Sequence, residues 1–249
     1  MNSFERFEIK HLSPSNLNKA IASPGAWVIS YIYKFREPTN TNMARGTAVE
    51  HGVQMGLEDE FLDPLEEAIK EFNKLTAMGC PQEARKTELE KFPGYVEQTI
   101  AGLKNYGEPT GYQEKISIEL DGVPIPIIGY TDFTCGNDGA IVDLKTTGAV
   151  PGRIKADHRR QMAVYQHANS NQSIDVLYAS SKKHKIYTLT SDESKNALEE
   201  IRQTAMRLEK LLDKFETKKD LAAAIIPNYD SFYFNGMEMR AKAKDIFGY

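Results

Sequence analysis

The chain has 249 residues, of which 41% are hydrophobic and 27% are charged, and its formal net charge is −4. This composition excludes an intrinsically disordered chain, and the acidic balance excludes binding to nucleic acid through overall charge alone. No stretch contains the roughly 18 uncharged apolar residues of a membrane span, and the start lacks the apolar run of a secretory signal. Because Cys80 and Cys135 cannot build a disulfide framework, we expect a globular protein of the reducing cytosol that has no membrane association.

The first part of the chain, residues 14–106, has helical periodicity. A serine-capped helix is predicted in SPSNLNKAIA, Ser23-Pro24-Gly25 ends it, and the helical pattern resumes in AWVISYIYKF. Two more helices are predicted in ARGTAVEHGVQMGLEDEF and DPLEEAIKEFNKLTA, the second with Asp63 as N-cap and Pro64 in its first turn. Pro93-Gly94 is expected to separate the last two helices of this part.

From residue 112 to 147 the hydrophobic period changes to two, and EKISIELDGVPIPIIGYTDF has the β-branched residues of strands around an Asp121-Gly122 turn. A helix in DHRRQMAVYQHAN follows, then strands in SIDVLYAS and KIYTLT, and then a helix from Thr190 to about Lys219 that begins with a capping box to Glu193. This order predicts one α/β domain. Its expected parts are a mainly helical lobe (1–110), a sheet core with a crossing helix (111–190) and a C-terminal helix and tail (191–249).

The segment GYTDFTCGNDGAIVDLKTT reads as a hairpin with Asp132 before the turn and Asp143 and Lys145 after it. A loop at Asn137-Asp138 would set Asp132 opposite Asp143, whereas a loop at Asp138-Gly139 would set Asp132 opposite Lys145. Both registers remain open at this point. Because side chains alternate along a strand, Asp143 and Lys145 share a face, and either register adds Asp132 to that face.

Two carboxylates on one face of a hairpin are costly, since opposed Cβ atoms lie only about 5 Å apart. The neighbouring residues Ile141, Val142 and Leu144 predict partial burial, which raises the cost further. A hard divalent cation would remove the conflict, and Mg²⁺ needs only one or two carboxylates. A lysine beside such an ion can orient or deprotonate a water and offset charge on a phosphorus. The alternative is a surface hairpin in which Lys145 forms salt bridges with the aspartates.

Six motifs in order, from about residue 12 to 234, resemble the PD-(D/E)xK nuclease superfamily, and most closely its RecB-like, phage-type exonuclease branch. LSPSNLNKAIASPGAW is similar to the opening helix of that branch, RGTAVEHG to its G-x-x-x-[H/E] helix, and QEKISIEL to its strand with an early acidic residue. GYTDF matches the G-x-x-D strand, VDLKTT the (D/E)-x-K strand and QMAVY the Q-x-x-x-Y helix. The resemblance implies a restriction-endonuclease-like α/β core, with a mixed, largely antiparallel central sheet flanked by helices and a helical N-terminal lobe.

The resemblance also implies roles for the strand residues. Asp132 and Asp143 would hold the metal together with the carbonyl of Leu144, and Lys145 would assist the attacking water. Glu114 is the catalytic candidate on the preceding strand, by its position near the start of QEKISIEL. Glu119 is the alternative for that position.

Helical residues complete the implied site. Glu50 fits the spacing of the G-x-x-x-[H/E] motif and His51 fits its usual residue type, and since adjacent helix residues point about 100° apart, one of the two is expected to face the metal. Gln161 and Tyr165 share a helix face and would line the site and contact DNA, as would Arg160 in the basic segment GRIKADHRRQ. The second basic segment, SKKHK, is interpreted as a solvated hairpin tip.

Many relatives carry an iron–sulfur cluster held by one early cysteine and three late ones. Ser23 replaces the early cysteine and the late segment IPNYDSFYFNG contains none, so we expect no iron–sulfur cluster. Four aromatic residues of that segment are expected to pack the tail instead: Tyr229, Phe232, Tyr233 and Phe234. The chain also lacks a glycine-rich phosphate loop, so we expect no nucleotide cofactor.

The function that the resemblance implies is a Mg²⁺- or Mn²⁺-dependent deoxyribonuclease that degrades linear DNA from its ends in recombination or repair. The expected setting is the cytoplasm of a bacterial or phage-infected cell, with a partner such as a single-strand annealing protein or a helicase. Two alternatives within the fold are a structure-specific endonuclease and a DNA-end-binding subunit with an inactive nuclease core. A further alternative, without the resemblance, is a metal-dependent hydrolase of small phosphates.

Overall fold

A five-stranded sheet in the sequential order β1-β2-β3-β4-β5 organises the protein. The computed structural model describes residues 2–136, 139–169 and 174–248. The strands are β1 (Pro109–Ile118), β2 (Ile127–Cys135), β3 (Ala140–Thr146), β4 (Ile174–Ala179) and β5 (His184–Thr188). Strands β1, β2 and β3 lie in or overlap the period-two region that the sequence predicts, and β4 and β5 match the two later runs. Strand β3 carries Asp143.

Helices surround the sheet. Those before β1 are α1 (Ser3–Arg6), α2 (Pro14–Ala22), α3 (Pro24–Trp27), α4 (Thr41–Glu58), α5 (Pro64–Thr76), α6 (Gln82–Leu89) and α7 (Phe92–Leu103). Those after β3 are α8 (Ala156–Ala168), α9 (Ser191–Leu212), α10 (Lys218–Ala224) and α11 (Met237–Phe247). Among the described residues, no helix is both long enough and apolar enough to cross a bilayer.

Three of the strand pairs are antiparallel and one, β3 with β4, is parallel. A parallel pair needs a crossover connection, and α8 provides it between β3 and β4. The expectation of a mixed, largely antiparallel sheet with a crossing helix and a helical N-terminal part is confirmed.

Each face of the sheet has its own hydrophobic core. On one face, α2, α8 and α9 pack over residues such as Ile127, Ile141 and Val176. On the other face, α4, α5 and α7 pack over residues such as Phe133 and Leu177. Since β3 is covered on both faces, Asp143 is held inside the protein rather than on a surface hairpin.

The side chains of strand β2 change from one face of the sheet to the other along the strand. Ile127 belongs to the core beneath α8, whereas Phe133, six residues later, belongs to the core beneath α4 and α7. In a regular strand an even spacing would keep both side chains on one face. Gly129 still lies beside Tyr165 of α8, so the reversal falls between Gly129 and Phe133, in the segment that contains Asp132.

Strand β1 reverses at the same level. Ile116 packs in the first core and Tyr112 against the second, and between them Gln113 has a backbone φ of 47°. The pairs Tyr112↔Phe133 and Glu114↔Thr131 set Gln113 opposite Asp132. A positive φ at a non-glycine residue is uncommon and costs energy, and here it accompanies the switch of both strands from one core to the other.

Several predicted boundaries need correction. The helix that begins after the Thr190 capping box ends at Leu212, and a separate helix capped by Thr217 begins at Lys218. Pro93-Gly94 does not separate two helices but lies in the first turn of α7, where proline lacks no needed N–H.

The predicted helix in AWVISYIYKF is also not regular. Val28–Ile32 forms a π-helical turn, and the N–H of Tyr33 donates to the carbonyl of Val28 at 3.0 Å. Such a turn inserts an extra residue into the helical ladder, and the residue pattern does not distinguish it from an α-helix.

The tail packs against this irregular helix, partly as predicted. Phe234 is fully buried with Ala26 and Ile29, and its ring centroid lies 5.2 Å from that of Tyr229. Phe232, in contrast, is 72% exposed, so the expectation that it packs the tail is wrong. An aromatic contact therefore joins the late segment to the early helix.

Gly129 is expected to be intolerant of a side chain because Tyr165 lies against it. A Cβ at this position would lie 2.5 Å from Cε1 of Tyr165, so Gly129→Ala would push α8 away from the sheet. We expect a loss of about 1–3 kcal/mol in the free energy of unfolding, measured by urea denaturation. Gly152→Ala is the control, because a Cβ there meets nothing within 4 Å. Equal midpoints for the two variants would contradict the packing argument.

Candidate active site

The pairing of β2 with β3 decides between the two predicted registers. The described pairs are Phe133↔Val142, Thr134↔Ile141 and Cys135↔Ala140, and the next pair in this register is Asp132 with Asp143. The predicted loop residues Asn137 and Asp138 lie outside the described residues. The register with like charges opposite one another is therefore the one that the protein adopts.

At this point the side chain of Asp132, rather than its backbone, is hydrogen-bonded to β3. Its Oδ2 accepts a hydrogen bond of 2.8 Å from the backbone N–H of Leu144. The described backbone pairing of β2 with β3 includes Phe133 but not Asp132. Asp132 is 8% exposed. Its carboxylate therefore lies between the two strands, held by the residue that separates Asp143 from Lys145.

Asp143 is fully buried, and Lys145 forms an ion pair with it. The Nζ atom of Lys145 lies 2.5 Å from Oδ2 of Asp143, and the lysine side chain is 21% exposed. Apart from this ion pair, neither carboxylate oxygen of Asp143 has a hydrogen-bond partner among the described residues. Buried carboxylates normally have such partners, so Asp143 retains unused lone pairs that point into the site.

Burial and neighbouring charges shift the pKa values of Asp132, Asp143 and Lys145. Burial raises the pKa of Asp132 well above its usual range, and the charge of Asp143 raises it further. Burial also raises the pKa of Asp143, against the opposing effect of Lys145. For Lys145, burial alone would lower the pKa, but the charges of Asp143 and Asp132 outweigh it and raise the pKa above its usual value. The lysine is therefore an ammonium group at neutral pH.

Glu50 of α4 is the third acidic group near this cluster. Burial raises the pKa of its carboxyl above the usual value. The charge of Lys145 lowers this pKa, and the charge of Asp143 raises it. Gln113 Nε2 donates a hydrogen bond to Glu50 Oε1. His51 forms no ion pair or hydrogen bond with the cluster among the described residues, so of the two helical candidates the structure brings Glu50 to the site.

Gln113 is a site residue that sequence reasoning did not identify. It lies on β1 opposite Asp132, and its amide connects that strand to Glu50 on α4. In the sequence Gln113 is only a polar residue at the start of a predicted strand. The glutamate that follows it is the more obvious candidate for a catalytic role.

Glu114 lies away from the cluster. It is exposed, and its Oε2 accepts a hydrogen bond from Oγ1 of Thr134. It lines a small cavity of about 310 Å³ with Ile116 and Ile141, which belong to the core beneath α8. The alternative Glu119 is exposed beyond the end of β1. The geometry therefore places neither glutamate with the two aspartates.

Gln161 and Tyr165 lie together on α8 as their spacing predicts, and Gln161 Nε2 donates to Tyr165 Oη at 2.6 Å. Burial raises the pKa of Tyr165, and the charges of Asp143 and Lys145 also act on it, so the phenol borders the cluster. Tyr165 is only 2% exposed. Gln161 is therefore the member of the pair that is more accessible to a substrate.

Arg160 is committed to contacts within the protein. Its Nε donates to Glu200 Oε2 at 3.1 Å, and its Nη1 donates to Asn18 Oδ1 at 3.0 Å. The side chain is 13% exposed. These bonds connect α8 to α9 and α2, so the geometry supports a structural role for this residue rather than the predicted contact with DNA.

Arg45 of α4 fixes the strand end that follows Lys145. Its guanidinium donates to Oγ1 and to the carbonyl of Thr146, at 3.1 and 3.2 Å, and forms a buried ion pair of 2.7 Å with Glu88. The aromatic ring of Tyr95 lies 5.0 Å from the guanidinium carbon. The arginine precedes the glycine of the RGTAVEHG motif, but nothing in the residue pattern predicts that it reaches β3.

His158 of α8 is near enough to the cluster for the charge of Lys145 to act on it. Its Nδ1 is 2.7 Å from Tyr178 Oη, and the same phenol oxygen accepts the backbone N–H of Lys155 at 3.1 Å. Burial lowers the pKa of His158 to about 4, and the charge of Lys145 acts in the same direction. A neutral His158 at physiological pH adds no second positive charge beside Lys145.

The donor set of the cluster fits a divalent metal ion that prefers oxygen. Asp143 has buried oxygens without hydrogen-bond partners, and Asp132 and Asp143 repel one another, which a cation between them would relieve. In the part of the chain that the structure describes, no three histidine, cysteine or carboxylate side chains form a ready-made metal cage. A two-carboxylate site is typical of Mg²⁺, which keeps several waters as ligands, and is atypical of zinc.

Comparison with solved structures supports the α/β fold described above. A candidate exonuclease from Eubacterium rectale aligns over 93% of this chain and 88% of its own chain, with a TM-score of 0.65 and 14% sequence identity. The structure of SSO0001 aligns over 78% of this chain and 84% of its own, with a TM-score of 0.35 and 14% identity, which is too low to carry an argument. No curated protein matches the chain.

A family comparison covers most of the chain. The model of the PD-(D/E)XK nuclease superfamily matches residues 11–230, a range that includes the aspartates, the lysine and the helices that surround them. Nucleases of this superfamily generally use divalent metal ions, in agreement with the donor set described above. The chain therefore belongs to the PD-(D/E)XK nuclease superfamily.

Proposed function

We propose that the protein is a Mg²⁺- or Mn²⁺-dependent deoxyribonuclease that removes nucleotides from the ends of linear DNA during recombination or repair. The observation that carries the proposal is Asp143, a fully buried carboxylate whose oxygens have no hydrogen-bond partner beyond the ion pair with Lys145. A nuclease that had lost its metal site would gain nothing from keeping this carboxylate unsatisfied.

Asp132 and Asp143 would hold the ion, and we propose Glu50 and the carbonyl of Leu144 as further oxygen donors. When bound, a divalent ion neutralises the two carboxylates and polarises a phosphodiester oxygen. The hydrogen bond from the Leu144 N–H to Asp132 fixes one ligand before the ion arrives. This preorganisation is a reason for the interruption of the ladder at Asp132.

Lys145 is suited to stabilise charge rather than to accept a proton. Its raised pKa keeps it protonated, and its Nζ is held by Asp143. In phosphodiester hydrolysis a water oxygen bonds to phosphorus, the bond from phosphorus to the leaving sugar oxygen breaks, and a proton ends on that oxygen. The ammonium group would offset the negative charge that accumulates on the phosphoryl oxygens and would orient the water.

Attack at DNA ends is favoured over internal cleavage by the likeness in fold to the candidate exonuclease from Eubacterium rectale. The sequence shows no glycine-rich phosphate loop for a nucleotide, so we propose a partner such as a helicase or a single-strand annealing protein. The setting of such reactions is the cytoplasm of a bacterial or phage-infected cell.

The first prediction concerns Lys145. End-labelled linear DNA with Mg²⁺ or Mn²⁺ should be degraded, a chelator should stop the reaction, and Lys145→Ala should lower kcat by about 100-fold or more, because a charge next to the transition state is lost. Release of labelled nucleotide against time measures this effect. Lys185→Ala on the edge strand β5 is the control and should retain activity. A Lys145→Ala variant as active as wild type would remove this residue from the mechanism.

The second prediction concerns metal binding itself. Titration calorimetry with Mn²⁺ should show binding to the wild type and at least about tenfold weaker binding to Asp143→Asn, because the amide supplies no negative charge. Glu114→Gln should bind Mn²⁺ as the wild type does, since Glu114 lies away from the two aspartates. Equal loss in both variants would overturn the placement of the metal site.

The third prediction separates an exonuclease from an endonuclease. A linear duplex and the same DNA as a covalently closed circle should differ completely, with degradation of the linear form alone. Cleavage of the circle at a comparable rate would assign internal cutting to the protein. Binding of ends without cleavage of either form would assign the role of an end-binding subunit.

A further inference from the structure

A large groove lies outside the candidate active site, and none of its lining residues belongs to the catalytic cluster. This groove, of about 1330 Å³, is formed by α2, the segment that follows the π-helical turn, the first turn of α4 and the tail before α11. Its volume exceeds the range of about 300–1,000 Å³ that is typical of small-molecule pockets. The groove is therefore large enough for a segment of an extended polymer.

The groove has an excess of positive charge. The basic residues that line it exceed the acidic ones by one: Lys10, Lys19, Lys34 and Arg36 against Glu8, Glu37 and Glu238. Glu8 is already paired with Lys218 at 3.0 Å, and Glu37 and Lys19 attract one another. Lys10 and Arg36 are exposed in the groove and have no salt bridge among the described residues. These two cations are available for a polyanion.

Aromatic rings line the same groove. Phe232 is 72% exposed, and its ring centroid lies 5.5 Å from that of Tyr233. The Nζ atom of Lys19 lies 5.3 Å from the centroid of Tyr233 and 5.9 Å from that of Tyr31. An exposed ring beside cations is the combination that unpaired bases and their phosphates require, because bases stack on the rings while cations neutralise the backbone.

The groove leads to the catalytic cluster along one face of α4. Met43 lines the groove and is 60% exposed, and Glu50 follows seven residues later, two helical turns and about 10.5 Å away on the same face. Gly46 lies between them, where a Cβ would meet no atom but Oγ1 of Thr146, at 3.6 Å. With no side chain at this position, the face is left low between the groove and the site.

We propose that the groove binds a single-stranded stretch of the polynucleotide substrate and guides it to Asp132, Asp143 and Lys145. This inference rests on the nuclease function proposed above and adds a preference for unpaired bases. The separation of about 10.5 Å corresponds to about three nucleotides at a stacked spacing of about 3.4 Å. A duplex cannot use the rings in the same way, because its bases already stack within the helix.

Binding without cleavage tests the groove independently of catalysis. Fluorescence anisotropy in excess EDTA measures the Kd of a labelled 12-nucleotide oligothymidylate. Phe232→Ala should weaken binding by about fivefold or more through the loss of one stacked base. Lys10→Gln with Arg36→Gln should weaken it too and should reduce the slope of log Kd against log salt by about 1.4, since each neutralised phosphate of a single strand contributes about 0.7. A blunt 12-base-pair duplex should respond less to both variants.

The matched control is Lys182→Gln with Lys183→Gln, which removes the same charge from the exposed turn between β4 and β5. It should leave the Kd and the salt slope close to those of the wild type. The three sets of substitutions are at exposed residues, so circular dichroism should show all of them to be folded.

Substrate length provides a second readout. If the wild type cleaves DNA, groove variants should raise KM for a 12-nucleotide strand without changing cleavage of a dinucleotide, which is too short to reach the groove. Equal Kd values for wild type and groove variants, equal loss in groove and control variants, or equal loss for single strand and duplex would each overturn the inference. A chain that binds the single strand through the groove yet cleaves nothing would instead overturn the nuclease function.

Discussion

The structure depends on a conflict between two carboxylates that the register of β2 and β3 sets opposite one another. Asp132 and Asp143 are both buried, and burial together with repulsion raises the pKa of Asp132 well above its usual range. Lys145 offsets part of the negative charge, but the oxygens of Asp143 keep unused lone pairs. Such a cluster costs folding free energy in the absence of a cation, and the surrounding elements are arranged to hold it.

The supports come from both faces of the sheet. From one face, Arg45 of α4 binds the end of β3 at Thr146, and Glu50, five residues later, reaches the cluster. From the other face, Tyr165 of α8 borders the same charges because Gly129 lets its ring approach β2. The cluster is thus compressed between two cores, and rigid supports of this kind keep ligand positions fixed when an ion or a substrate arrives.

Much of this arrangement can be predicted from residue patterns. The remainder depends on contacts that such patterns do not predict. Asp132, Asp143, Lys145 and the Gln161–Tyr165 pair are predictable because strand alternation and helix spacing act over a few neighbouring residues. The surroundings of Glu114 are less predictable, because regular alternation fails at the preceding residue Gln113, whose φ of 47° has no signature in the residue type. The choice of Glu50 over His51, and the contacts of Arg45 and Arg160, depend on how distant elements pack, which local periodicity does not encode.

The late segment IPNYDSFYFNG contains no cysteine, and aromatic packing attaches it to the rest of the protein. The segment after α10 is held to the early helix by the packing of Phe234 against Ala26 and Ile29, a contact that needs no metal and leaves Phe232 free at the surface. Apolar packing buries area without fixing every ring, whereas thiolate ligation of a cluster would bind each cysteine in place. The same tail therefore packs against the N-terminal helices through Phe234 and exposes Phe232 to solvent. The ring of Phe232, exposed beside Tyr233, costs little in stability and would be available to the polynucleotide that we propose for the groove.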